Sequence, residues 1–186
     1  MYEFDPPMRA TGTHWYPSVG IQLIERARAL AHYAHRDQKR KYTGEPYITH
    51  PAAVVSLIEQ VPHTPEMIAA AWLHDTIEDC GVDESMIRVL ISRAVAEMVV
   101  GLTDVSRPEH GNRRIRKQMD LEHLAAQPAD VQTIKVADIC DNTISIVAHD
   151  PAFAKVYLVE KAVLLSWLTL ADSSLLARAW AQVAGS

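Results

Sequence analysis

Only two cysteines, Cys80 and Cys140, stand in this chain of 186 residues. They share no metal-ligand spacing, which excludes a disulfide framework and fits a reducing cytosol. An excess of positive charge is missing too. Lys and Arg number 18 against 23 Asp and Glu, for a net charge of −5, so no bulk basic field recruits nucleic acid. An anionic small substrate would need a local basic patch instead. No apolar run approaches the roughly 18 residues of a membrane span. The opening "MYEFDPPMRATGTHWYP" has no cationic segment followed by an apolar one and does not read as a secretory signal. Repeats and low-complexity tracts are absent, and no strand pair with a hairpin turn stands out. What remains is ordinary globular material, 48% hydrophobic and 22% charged, enough for one sizeable core.

Almost all of it carries helical periodicity, and the chain reads as a single all-α domain over residues 1–186. "SVGIQLIERARALAHYAH" puts Leu23, Ile24, Ala27, Leu30, Ala31 and Ala34 on one stripe, with Ser18 as a candidate cap. Gly44 and Pro46 mark the next stretch as a loop. A helix restarts at "HPAAVVSLIEQV", with Pro51 in its first turn. "TPEMIAAAWLHDTIEDC" is capped by Thr64 and stopped by Gly81, and predicts one helix through Cys80. Asp83 caps one long or two short helices that stop near Gly101, and "SRPEHGN" reads as a polar loop. Two helices follow, the second starting near Pro128. Two more close the chain over residues 151–184.

The chemistry concentrates in "AAWLHDTIED". Ile68 to Leu73 read as core, and His74, Asp75, Thr76, Glu78 and Asp79 follow at once. Burying charge is costly unless it is paired or coordinates a metal. Partners are available elsewhere. "PYITHP" sets His50 at a loop-to-helix junction, and "KVADICDN" places Asp138, Asp141 and Asn142 in an otherwise apolar helix. Two imidazoles and two carboxylates suit Mn²⁺, Fe²⁺, Co²⁺ or Zn²⁺ better than Ca²⁺ or Mg²⁺. Such a metal makes water a nucleophile at neutral pH. On a continuous helix, Glu78 shares a face with His74, and Asp79 with Asp75. This second acidic pair suits proton transfer. Lys39, Arg40 and Lys41, with Tyr42 and Tyr47 nearby, form one cationic cluster; Arg113, Arg114, Arg116 and Lys117 form another. Arginine binds phosphate bidentately and stacks on planar bases, so the clusters suit a nucleotide carrying several phosphates.

Four stretches, "AHYAHRDQKRKYTGEPYITHPAAVV", "AAWLHDTIEDC", "VVGLTD" and "IKVADICDN", resemble the HD hydrolase domain of the RelA/SpoT proteins. They are most similar to its stand-alone small alarmone hydrolases, including metazoan SpoT homologues. The likeness covers residues 30–142. It implies an all-helical fold that hydrolyses the 3′-diphosphate of (p)ppGpp with one Mn²⁺ per chain. It implies His50, His74, Asp75 and Asp138 as metal ligands, and Glu78 and Asp79 as the pair that orients water and moves protons. Arg40 would pack on the base, with Lys41 near phosphate, Tyr47 and Thr49 shaping the pocket, and Asn142 touching the nucleotide. Arg113 and Arg116 are further substrate-binding candidates. The family's Phe-Gly is Ile91-Ser92 here, expected to affect packing. The segment 111–133 also departs, and leaves (p)ppApp and the 2′-phosphate of NADPH as alternative substrates.

Other metal-dependent HD enzymes, phosphomonoesterases or cyclic-nucleotide phosphodiesterases, are rivals. The two-metal cyclic-di-nucleotide class would want Gly-Lys after His-Asp, where Thr76-Ile77 stands. A non-catalytic alarmone sensor predicts a degraded acidic pair, yet Glu78 and Asp79 are both present. His14, His32, His35, His63, His110, His123 and His149 read as structural or surface residues, and the two cysteines as small core fillers.

Overall fold

A computed structural model describes residues 18–185, in which regular structure is helical throughout. The helices are α1 (Ser18–Ala34), α2 (Thr49–Ile58), α3 (Pro65–Leu73), α4 (Thr76–Cys80), α5 (Glu84–Leu90), α6 (Arg93–Leu102), α7 (Arg113–Ala125), α8 (Ala129–His149), α9 (Pro151–Trp167) and α10 (Ser173–Ala184). A 3-10 turn, Pro108–His110, interrupts the polar loop before α7. None of these helices is long and apolar enough to cross a membrane.

Side-chain caps fix where many helices begin. Thr64, Asp83, Ser92, Asn112, Asp150 and Asp172 each accept a backbone N–H from the following turn, a contribution of about 1 kcal/mol apiece. Ser92 thus starts α6 through the Val95 amide. Its departure from the family pattern therefore reaches further than packing, because it sets a helix boundary. The α5–α6 segment resolves into two helices at Ile91. α6 ends at Leu102, near Gly101 as expected, with Gly101 buried in its last turn. A Cβ there would stand 2.6 Å from the side-chain oxygen of Gln127.

α3 is apolar all round, as a helix in a protein interior must be. Met67 to Leu73 are all buried, enclosed by α1, α2, α6 and α8. α8 runs alongside with Val131, Ile134, Val136, Ala137 and Ile139 buried, and α9 and α10 close over its other side.

One predicted element is corrected. The helix expected through Cys80 breaks after Leu73, and α4 starts afresh at Thr76. The cause is competition for carbonyls. His74 Nδ1 takes the Ala71 oxygen at 2.8 Å and Thr76 Oγ1 takes that of Leu73 at 2.7 Å. A continuing helix would give those acceptors to backbone amides. Asp75 sits in the break at φ −98°, ψ −3°, a backbone region where many active-site residues lie. Gly81 ends α4 in the left-handed region, φ 65°, as expected.

The loop between α1 and α2 folds back on itself. Arg40 N donates to Glu45 O at 2.8 Å and Tyr47 N to Gln38 O at 2.9 Å, with Gly44 at φ 73° making the turn. This excursion carries Arg40, Lys41 and Tyr47 toward the ends of α3 and α8.

Candidate active site

The first turn of α2, the break after α3 and the middle of α8 converge. His50 and His74 are 1% and 3% exposed, and Asp138 6%. The two imidazoles face each other with 3.1 Å between their Nε2 atoms. Asp75 Oδ2 lies 3.5 Å from His50 Nε2 and 3.0 Å from His74 Nε2. Asp138 Oδ1 lies 3.3 and 4.0 Å from the same two nitrogens. One donor atom each from His50, His74 and Asp75 falls within 4.8 Å of the others. Donors about 2.0–2.2 Å from a common ion stand about 3 Å apart when adjacent and somewhat over 4 Å when opposed. The observed spacings fit one divalent cation.

Each donor is held by a neighbour. His74 Nδ1 donates to Ala71 O, which leaves Nε2 free to bind. His50 Nδ1 lies 2.6 Å from Asp141 Oδ2. Tyr47 donates its hydroxyl to Asp75 Oδ2 at 2.6 Å. Asn142 Nδ2 donates to Asp138 Oδ1 at 2.5 Å, and Lys135 Nζ pairs with Asp138 Oδ2 at 2.9 Å. Supporting partners of this kind orient metal-binding side chains.

Burial opposes charge on His50, yet hydrogen bonds to Asp138, Asp141 and Asp75 outweigh it and raise its pKa to about 11. Burial likewise opposes the charge on His74, and Asp75 raises it. Asp75 is held low, against its own burial, by His74 and His50. Asp138 is held low by Lys135 and His50 in the same way. The cluster therefore demands positive charge at its centre, from protons or from a cation. Metal binding must displace those protons.

The second acidic pair is set apart from the donors. Asp79 N donates to Asp75 O at 2.8 Å, so Asp79 stays one helical turn beyond Asp75 as expected, although α3 itself ends at Leu73. Asp79 accepts from Gln38 Nε2 at 2.9 Å, and Gln38 is in turn bound to His35 at 2.6 Å. Glu78 lies 3.4 Å from the Asp104 amide. Its surroundings, then the Asp104 carboxylate, push its pKa up, a shift that suits a proton carrier.

Five of the seven predicted substrate residues, Arg40, Lys41, Tyr47, Thr49 and Asn142, line two cavities of about 270 and 230 Å³, and Arg113 and Arg116 line neither. Arg40 lines both, and its side chain is only 13% exposed. Its Nη2 donates to Asp141 Oδ2 at 2.9 Å and its Nη1 to Asn142 Oδ1 at 3.2 Å. Its hydrogen-bonding edge is thus engaged. Thr49 lines the larger cavity, and Lys41 and Tyr47 the smaller. Lys41 sits over the Tyr42 ring at 4.7 Å. Arg113 forms a two-pronged pair with Glu160 at 2.7 and 2.8 Å, and Arg116 keeps a buried Nε without a hydrogen-bond partner.

Four side chains near the site were not assigned from the sequence. Asp141 and Lys135 had a signal, since they flank Asp138 at three-residue spacing on one helix. Gln38 had none. Lys161, on α9, joins no ion pair among the described residues, and burial together with Lys135 lowers its pKa to about 8. His35 is buried beneath Tyr47, ring centres 4.8 Å apart, and holds Cys80 Sγ at 3.2 Å. Burial raises both cysteine thiols to about 11, in keeping with inert fillers. His32, His110 and His149 are exposed and His63 and His123 half-buried, while His14 lies outside the described residues.

The model of the HD domain matches residues 27–159. The chain belongs to the HD-domain family. This HD-domain protein is 33% identical over 140 residues to a probable GTP pyrophosphokinase of Mycobacterium leprae, covering 73% of this chain and 17% of that protein. Over 119 residues it is 34% identical to the guanosine-3′,5′-bis(diphosphate) 3′-pyrophosphohydrolase of Aquifex aeolicus, covering 64% and 17%. The HD-domain chain thus spans about a sixth of the length of these relatives. Among solved structures, one described as a metazoan ortholog of SpoT that hydrolyses ppGpp superimposes with a TM-score of 0.78 at 21% identity, covering 93% of this chain and 98% of that one. A Listeria monocytogenes protein superimposes with a TM-score of 0.62 at 21% identity, covering 77% and 98%. These two likenesses bear on the fold, which is the all-α HD arrangement.

Proposed function

We propose that this HD-domain protein removes the 3′-diphosphate of guanosine alarmones, (p)ppGpp, releasing pyrophosphate and GDP or GTP. The observation that carries the reading is the donor cluster. His50, His74 and Asp75 offer donor atoms within 4.8 Å of one another, Asp138 Oδ1 lies 3.3 Å from His50 Nε2, and each of the four has a further side chain or carbonyl beside it. Relatives named for this reaction supply the substrate class.

His50, His74, Asp75 and Asp138 would hold the cation, which we take to be Mn²⁺ because mixed nitrogen and oxygen donors suit it. When bound, such an ion draws charge from phosphoryl oxygens and makes water acidic enough to attack at neutral pH. The chain's own residues do the rest. Tyr47 and Asn142 keep the two carboxylates aimed inward. Glu78, its pKa raised, can take up a proton and pass it on, while Gln38 fixes the Asp79 carboxylate beside it. Lys41, Lys161 and Arg116 offer charge for the phosphates. Arg40, its edge engaged by Asp141 and Asn142, has only its planar face left for a base. Free thiols at Cys80 and Cys140 suit a cytoplasmic setting.

Product analysis tests the reading. Purified protein with Mn²⁺ is offered ppGpp, ppApp and NADPH in parallel, and pyrophosphate and inorganic phosphate are measured. Pyrophosphate from ppGpp, abolished by chelation, is the expected outcome. Nucleotide binding without turnover would favour the sensor instead, and turnover of ppApp or NADPH alone would reassign the substrate.

A further inference from the structure

Asp141 is the one acid of the α8 cluster to which neither the metal nor the nucleotide gives a role. It lies one turn beyond Asp138 on the same face of α8. A single oxygen, Oδ2, serves two donors from two other parts of the chain. His50 Nδ1, from α2, stands 2.6 Å away and Arg40 Nη2, from the preceding loop, 2.9 Å away. His50 has its other nitrogen, Nε2, among the converging donors.

We propose that Asp141 is a positioning residue for the metal, acting through His50, and that Arg40 clamps it in place. The inference rests on the reading of His50 as a metal ligand. Its physical basis is the two-sidedness of imidazole. A neutral ring carries one proton, and only Nε2 points into the donor cluster. A carboxylate fixed against Nδ1 keeps that proton on the outer nitrogen, leaves the Nε2 lone pair directed at the cation, and makes the ring a stronger donor. Water could not fix the ring so firmly, because His50 is buried and its orientation is set by protein contacts. Arg40 contributes charge and direction. Its hydrogen bond holds Oδ2 where His50 can reach it, and its second bond, to Asn142, ties the same guanidinium to the residue that orients Asp138. Two of the four donors are thereby braced by one arginine that also lines both cavities.

The experiment is Mn²⁺ titration of folded, metal-free protein, followed by electron paramagnetic resonance, with no substrate present. Asp141→Leu should weaken Mn²⁺ binding by about 10–100-fold, the range for lost outer partners of a metal ligand. Asp141→Asn, which is isosteric and keeps an acceptor oxygen for both donors, should fall between it and the wild type. Arg40→Met should weaken binding on its own and add little in the Asp141→Leu background, since it acts through the missing carboxylate. Thermal unfolding of each metal-free variant identifies any that fails to fold. If the Leu variant does not fold, the Asn variant decides: unchanged affinity there overturns the role of the charge. Wild-type affinity in both Asp141 variants overturns the proposal, and fully additive effects of Arg40 and Asp141 overturn the clamp. Loss of Mn²⁺ affinity in a protein that turns over none of the nucleotides would retain this inference while removing the proposed substrate.

Discussion

The donor pocket and its cationic rim obey different rules. In the pocket, His50, His74, Asp75 and Asp138 have little water, so every polar atom must find a partner in the protein. At the rim, charge is solvated and can be spent on local pairs. Arg113 grips Glu160, Lys117 joins Asp104 at 2.9 Å and Asp120 at 3.4 Å, and Lys41 leans on Tyr42. Burial turns composition into geometry, whereas exposure leaves it open.

That contrast can be broken at its strongest point first. His74→Ala removes a buried donor and leaves Asp75 and Asp138 undercompensated. Bound metal, read by elemental analysis, and pyrophosphate release should disappear together, while the folded far-ultraviolet signature remains. Activity without metal would show that the pocket is not the reaction centre.

Glu78→Gln comes next, at the border between the two regions. The metal should stay, because Glu78 lies outside the donor cluster. The single-turnover rate should fall by about 10²–10⁴, the usual share of general acid–base catalysis. A loss of metal would move Glu78 into the pocket, and an unchanged rate would leave it on the rim.

The smallest effect belongs to Lys161. Its folded pKa, about 8, lies below the ordinary value of 10.5. Between those two pH values the unfolded chain binds the proton that the folded chain has released. Stability therefore rises with pH across this window and gains nothing from the group below it. Denaturant titrations from pH 7 to 10.5 should show a shallower rise in Lys161→Met than in the wild type. Parallel curves would mean that Lys161 is solvated like the rest of the rim.

The same distinction explains what could be read from the sequence. The apolar stripe of α1, the Thr64 and Asp83 caps and the Gly81 stop announce their helices through local chemistry. That Asp138 needs partners was legible from its place between Val136, Ala137 and Ile139, and the fold sets it beside His50 and Lys135. The break at His74 was not, since nothing in "WLHDTIED" says that His74 and Thr76 side chains will capture the carbonyls of Ala71 and Leu73. Arg40 was legible as one of a cationic cluster but not as the partner of Asp141, which lies 101 positions away. Long-range pairings of this kind exist only once the helices have packed. Arg113 illustrates the limit: the residue type suggests phosphate, and the fold gives it Glu160.

The break after α3 also divides the protein by how readily its backbone opens. Amides of Met67 to Leu73 lie in the closed interior, where exchange with solvent hydrogen requires the whole structure to come apart. Those of Thr76 to Cys80 belong to a five-residue helix held by the buried Thr76, by Ile77 against the core and by Gln38 on Asp79, with Glu78 and Asp79 exposed, and so short an element can exchange through more local opening. The two ends of one ten-residue stretch thus differ in how readily their backbone can open. His74 is seated in the core, and the exposed Glu78 and Asp79 follow it about one turn later.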